Sequence, residues 1–296
     1  MTSEELAIVR AAFAKQICAV AGVADNVALE RAFRTVRRED FLGSDPWQII
    51  DFSRSPARLP ANDPVYAYQD ALFVLSSWRG VNNGGPSLHA RLLSALAPQP
   101  GDTVVHLGAG TGYYTAILAE LVGPKGRVIA IEIDEALVRI ARPALQSYAN
   151  VELVVDDATD WPKDKVDGIY INFASLSPRD RWIDGLADRG RLVIPLGVPG
   201  KPMRPAGPRF SRHGAAFLLQ RMATGFSAAQ ICPAYFVHAE GRAGNDDSGE
   251  TERLQEAFRR SGAEFVRSFI WRSPADASRC WISSPHWALS YDPLKT

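Results

Sequence analysis

Apolar residues recur at helical spacing from Glu4 to about Val20 (Leu6, Val9, Phe13, Ile17, Val20), and a second such run extends from about Asn26 to Val36. Both runs predict helices with one buried face. Between residues 43 and 65 the phrases GSDP, SPARLP and ANDP interrupt any regular period, which predicts a long surface loop. GVNNGGP, from Gly80 to Pro86, precedes SLHARLLSALAP, a helix with Ser87 as its expected N-cap and Pro98 just past its end. From Thr103 onward β-rich runs alternate with helical ones: TVVHL, TGYYTAILAELV, RVIAIE, DEALVRIARPALQSY, VELVV, DGIYIN and RLVIPL. Such alternation predicts an α/β fold, a mostly parallel twisted sheet with helices on both faces and right-handed crossovers. Residues 197–213 are rich in Pro, Gly and basic residues and read as a mobile loop. Antiparallel strands (GAAFLLQRMA, AAQICPAYFVHA), a linker (GRAGNDDSG), a helix (ETERLQEAFRRSGAEF) and two short strands (SFIWRS, CWISS) complete the chain. The expected division is N-terminal helices and substrate-side loops over 1–98, a central α/β domain over 99–241, and an α+β extension over 242–296 packed on the core.

Charge narrows the function classes. Lys plus Arg and Asp plus Glu both number 33, so the net charge is zero and nothing draws the chain towards nucleic acid or an acidic membrane. Cys18, Cys232 and Cys280 are scattered, with neither disulfide-framework nor zinc spacing, so no metal site is expected and a reducing compartment fits. The N-terminus carries acids ahead of an apolar pattern interrupted by charges, unlike a signal peptide or a membrane span. These features predict a soluble, cytoplasmic protein.

The chemistry concentrates in VVHLGAGTGYYTA, where Gly108, Gly110 and Gly112 lie between a strand and a helix. Glycines there permit a tight turn and close backbone approach to a ligand at a helix N-terminus. Glu132 ends the next strand, where a carboxylate can accept ribose hydroxyls. A dinucleotide fingerprint would need a small residue where Tyr113 stands, which disfavours a nicotinamide cofactor. The remaining layout, with Asp157 after the third strand, resembles that of methyltransferases that bind S-adenosylmethionine. The expected cofactor-binding set is His106, Gly108, Ala109, Gly110, Thr111, Gly112, Tyr113, Glu132, Ile133, Asp157 and Ala158. Asp157 would accept from the adenine amino group, with a helix or turn cap as its alternative reading.

The segments ERAFRTVRREDFLG, GVNNGGPSLHARLLSAL, PGDTVVHLGAGTGYYTAILAELVG, GRVIAIE, VDGIYIN and RGRLVIPLG occur in an order and spacing that resemble the protein-L-isoaspartate O-methyltransferase family over roughly Asn26 to Gly197. The resemblance implies a Rossmann-like class I methyltransferase fold. It also implies methyl transfer from S-adenosylmethionine, giving S-adenosylhomocysteine, to a carboxylate of a peptide, protein or small molecule. Two departures matter. Gly84 stands where the family's loop serine belongs, and His106 replaces an acid at the end of the first strand. The resemblance therefore places Asn82, Asn83 and Gly84 on the acceptor side, with the amides of Asn82 or Asn83 as substitute carboxylate donors. His89, on the first turn of the helix after this loop, and Asn172, at the sheet's carboxyl edge, are further candidates. Asn82 and Asn83 read equally as turn residues and Asn172 as a loop support, while a lone histidine such as His89 is more often a packed or exposed helix residue than a base.

Arg31, Arg34 and Arg38 read as one solvated helix face. Rival functions stay open: methylation of another nucleophile in a natural product or RNA, with His89 or Asp70 as base; a non-catalytic cofactor-binding protein; or a nicotinamide oxidoreductase. So does a homodimer built on the aromatic C-terminal strands.

Overall fold

The computed structural model describes residues 2–44, 46–50, 57–59, 62–76, 80–201, 210–244 and 249–294. The chain packs as two compact units, Met1–Asp102 with Ala109–Val155, and Thr103–Gly108 with Asp156–Thr296.

In the first unit α1 (Ser3–Val20) opens on a capping box between Thr2 and Glu5 and buries Phe13, Ala14, Ile17 and Cys18. Helix α2 (Val27–Thr35) is capped by the Asn26 side chain, whose Oδ1 accepts from the Leu29 amide at 3.0 Å. The backbone turns extended at Val36, so the helical period stops before Arg38, which begins a 3-10 turn over Arg38–Phe41. The expected solvated arginine face therefore fails at Arg38, which is fully buried. Its guanidinium donates to the carbonyls of Ala67, Gln69 and Ala71 at 2.8, 2.7 and 2.8 Å. It also faces the rings of Phe13, Phe73 and Tyr113, where cation–π attraction offsets part of the cost of burying a charge.

The stretch read as an irregular loop contains an antiparallel pair, β1 (Gln48–Ile49) with β2 (Ala57–Arg58), and a 3-10 turn over Pro64–Ala67. Strands of two residues are too short to print an alternating pattern. Residues 45, 51–56 and 60–61 of that stretch lie outside the described residues. A second antiparallel pair, β3 (Val74–Ser76) with β4 (Val81–Asn82), leads into α3 (Pro86–Leu96). The N-cap of α3 is Gly85, with Pro86 at the first helical position, rather than Ser87, whose amide donates to Asp70 Oδ1 at 3.0 Å. After β5 (Thr103–Leu107), which belongs to the second unit, come α4 (Tyr113–Val122), β6 (Arg127–Glu132), α5 (Glu135–Leu145) and β7 (Val151–Val155), with β6 and β7 parallel.

In the second unit β5 pairs in parallel with β8 (Val166–Ile171), and β8 with β9 (Leu186–Pro199), which follows the short α6 (Asp180–Asp184). From β9 the sheet continues antiparallel through β10 (Ser211–Met222) and β11 (Gly225–Pro233). Beyond a 3-10 turn at Gly241–Gly244 and α7 (Glu250–Arg260), β12 (Ser268–Trp271) joins β11; of β13 (Cys280–Ser283) and β14 (Trp287–Ser290), β14 pairs with both β12 and β13. Strands β9 and β10 absorb both ends of the loop expected over 197–213, and residues 202–209 of it lie outside the described residues, as do 245–248 of the linker. The final strands owe their place to aromatic packing: Trp281, fully buried, lies against Phe217 at 5.3 Å and edge-on to Phe258 at 5.0 Å.

Candidate functional site

The glycine-rich loop leaves β5 at Leu107 and enters α4 at Tyr113, with Gly112 as N-cap. Gly108, Gly110 and Gly112 all take positive φ. At Gly110 (φ 59°) an added Cβ would meet nothing within 4 Å among the described residues, so the glycine serves the turn and leaves its surroundings open rather than making room for packing. The Gly110 amide donates to Glu132 Oε2 at 2.7 Å, and the Asp134 amide to Glu132 Oε1 at 2.9 Å. Burial pushes the Glu132 carboxyl up, while these two amides pull it back. The loop and the acid at the end of β6 are thus one hydrogen-bonded assembly. Ile133, next to that acid, is 41% exposed, an apolar side chain left uncovered where a flat ring could lie. Ala109 and Thr111 are buried, and the Ala109 amide donates to the Ile131 carbonyl at 3.0 Å. Tyr113 is also buried, and its hydroxyl has no hydrogen-bond partner among the described residues.

The loop of residues 82–85 lies against the same helix. Tyr114 Oη donates to the Gly84 carbonyl at 3.2 Å, and its ring stacks on His89 with centroids 3.7 Å apart. Asn82 Oδ1 accepts from the Gly84 amide at 2.9 Å, the Asx-turn arrangement expected of an asparagine before glycine. Asn83 pairs with Phe73 in both directions, its Oδ1 accepting from the Phe73 amide at 2.8 Å and its amide donating to the Phe73 carbonyl at 3.1 Å. The Asn83 side-chain NH2 group is buried and has no partner among the described residues, a donor that a carboxylate would satisfy. His89 is fully buried, the setting of a packed ring rather than of an accessible base.

In the second unit His106 is fully buried beside Tyr170, with ring centroids 5.3 Å apart, and burial pulls its pKa down to about 3, so the ring is neutral near pH 7. The Asn172 amide donates to the Leu107 carbonyl at 2.9 Å, extending the β5–β8 ladder by one residue. Asp157 caps the 3-10 turn Ala158–Asp160: its Oδ1 accepts from Thr159 N and Oγ1 at 2.9 and 2.6 Å, and its Oδ2 from Arg242 N at 2.8 Å. Burial pushes this carboxyl up, but the Thr159 donors and Arg242 outweigh it and hold it below the usual range. The Ala158 carbonyl accepts from Trp182 Nε1 at 3.0 Å. Among the described residues no cluster has the makings of a metal site, and no helix is long and apolar enough to cross a membrane.

Three contributors escaped the sequence reading. Tyr114 lies within the helical run TGYYTAILAELV with no role assigned to it, Arg38 within the expected solvated face, and Arg242 within the expected linker. The only signal for Tyr114 was its place two residues after Gly112.

Comparison with known proteins identifies the family and the fold. The family profile for Protein-L-isoaspartate(D-aspartate) O-methyltransferase matches residues 19–205. A protein-L-isoaspartate O-methyltransferase of Aeropyrum pernix is 37% identical over 154 residues, 48% of this chain and 58% of that protein. One of Archaeoglobus fulgidus is 36% identical over 57% of this chain and 78% of its own length. A solved protein-L-isoaspartate O-methyltransferase superposes with a TM-score of 0.62 at 20% identity, over 87% of this chain and 71% of that one. One from Plasmodium falciparum, in complex with S-adenosyl-L-homocysteine, gives 0.57 at 16% over 78% of this chain and 98% of that one. These structures establish the fold as the Rossmann-like α/β fold of methyltransferases. With its profile match covering most of the chain, this protein belongs to the protein-L-isoaspartate(D-aspartate) O-methyltransferase family.

Proposed function

We propose that the chain is an S-adenosylmethionine-dependent O-methyltransferase acting on a carboxylate of a peptide, protein or small metabolite, with isoaspartyl peptides as the first acceptors to test. The observation that carries this reading is Tyr114: one residue of the glycine-loop helix holds the Gly84 carbonyl and stacks on His89, so the loop assigned to the acceptor is fastened to the loop assigned to the cofactor.

The cofactor supplies a methyl group already activated on a sulfonium. The chain's own residues then have to bind and align. Glu132 would take the ribose hydroxyls through the lone pairs its two amide contacts leave over, and the left-handed turn at Gly110 would admit the cofactor to the backbone. Ile133 would cover the adenine and Asp157 accept from its amino group, with Ala158 beside it. His106, neutral, would act at the methionine end as a hydrogen-bonding group without charge.

A carboxylate with an ordinary pKa near ~4 is ionised at neutral pH, so no base is required, and positioning by effective molarity supplies the rate. The amides of Asn82 and Asn83 are the proposed carboxylate donors, and the Asn83 NH2 group, without a partner among the described residues, supports that role. Asn172 is proposed at the acceptor end of β8. The reading in which His89 acts as a base for an amine or hydroxyl loses ground to its burial. We place the protein in the cytoplasm, in keeping with three buried free cysteines.

Calorimetric titration with S-adenosylhomocysteine, for the protein and for Glu132→Ala, tests the cofactor half: binding lost in the variant supports it, and no binding to either sinks it. Binding without methyl transfer to any carboxylate would instead favour a non-catalytic role.

A further inference from the structure

Gly84 is held at three points. Its amide donates to Asn82 Oδ1, its carbonyl accepts from Tyr114 Oη, and its Cα faces the imidazole of His89. At φ 72° the side-chain direction of residue 84 points into that ring: an added Cβ would lie 2.1 Å from His89 Nε2 and 2.7 Å from Cδ2. The ring has little freedom to retreat, being fully buried and stacked on Tyr114 at an interplanar angle of 12°. Its own backbone is fixed in the first turn of α3, the His89 amide donating to the Gly85 carbonyl at 3.1 Å.

We infer that His89 is a specificity-determining positioning residue: its imidazole occupies the side-chain space of position 84, so a side chain at 84 and the ring at 89 exclude one another. The inference rests on the reading that residues 82–85 face the acceptor. A serine introduced at 84 in this backbone would drive its Cβ into the His89 ring. The loop therefore recognises a carboxylate through amide donors from Asn82 and Asn83. Changing that recognition requires changing His89 together with Gly84.

A double-mutant cycle of Gly84→Ser, His89→Ala and the pair tests this, with Gly84→Ala as a gentler probe that adds only the Cβ. Melting temperature, S-adenosylhomocysteine affinity and acceptor KM are read for each. Gly84→Ser and Gly84→Ala lower the melting temperature and raise acceptor KM by about tenfold or more, with cofactor affinity changed less than about threefold. Adding His89→Ala to either returns part of both losses, the left-handed φ at 84 accounting for the remainder. His89→Ala alone leaves the pH–rate profile unshifted.

Strictly additive effects would overturn the inference, as would a His89→Ala enzyme that loses turnover with an altered pH profile, since that is the behaviour of a base. Melting and cofactor titration read the coupling even where no acceptor is methylated. Coupling without methylation would therefore contradict the proposed activity and leave the pairing of 84 with 89 standing.

Discussion

The Tyr114 hydroxyl donates to the Gly84 carbonyl at 3.2 Å, joining the first turn of α4 to a loop 30 residues earlier in the chain. Tyr114→Phe keeps the ring stacked on His89 and removes only this bond, at a cost of about 0.5–1.5 kcal/mol. Steady-state kinetics should show acceptor KM rising while the affinity for S-adenosylhomocysteine, measured by calorimetry, changes little. An equal loss in both would mean that Tyr114 serves the cofactor loop rather than the acceptor loop.

Arg38 gives three hydrogen bonds to carbonyls from a fully buried guanidinium. Arg38→Met leaves those carbonyls without their donors, and urea denaturation should report a loss of more than about 2 kcal/mol, since hydrogen bonds from charged groups contribute roughly 1.5–3 kcal/mol each. A change below about 0.5 kcal/mol, the usual range for surface positions, would contradict this burial.

His106 sets an acid limit on stability. Its folded pKa, about 3, lies below the ordinary value of 6.5, so below about pH 6.5 the unfolded chain takes up a proton that the folded chain does not. The group carries no penalty above that pH, and stability falls by up to about 1.4 kcal/mol per unit as pH drops from there towards 3. Melting curves between pH 7 and 5 should slope down for the wild type and flatten for His106→Gln. Parallel curves would assign the acid sensitivity elsewhere.

Asp157 and Arg242 separate a cofactor role from a surface ion pair. The Arg242 side chain is 61% exposed and pairs with Asp160, 40% exposed, so Arg242→Ala should leave the melting temperature close to that of the wild type. Its backbone amide still reaches Asp157 in that variant. Asp157→Ala, by contrast, should weaken S-adenosylhomocysteine binding by about tenfold or more. If both variants bind like the wild type, Asp157 is a turn cap alone.

The pattern of apolar positions was enough to find the β5–β9 alternation because buried parallel strands are continuous apolar runs, as LVIPL within β9 shows by being buried throughout. The glycine loop and Glu132 were legible for a related reason: strand, glycines, helix and acid are close in sequence. Contacts between distant segments left no such trace. Arg38 was misread because the helical period was carried past Val36, where the backbone is already extended. The two-residue strands β1 and β2 were below the length at which alternation can be seen. The dependence of Gly84 on His89 is a matter of side-chain direction at a positive φ, which spacing alone does not encode.

Incubation with methyl-labelled S-adenosylmethionine and an isoaspartyl peptide, followed by base hydrolysis, tests the central claim most directly. The account predicts label on the peptide that base releases as methanol, as expected of a methyl ester, and its loss in Glu132→Ala. Label that resists base would place the methyl on nitrogen or on an ether oxygen and contradict carboxylate methylation.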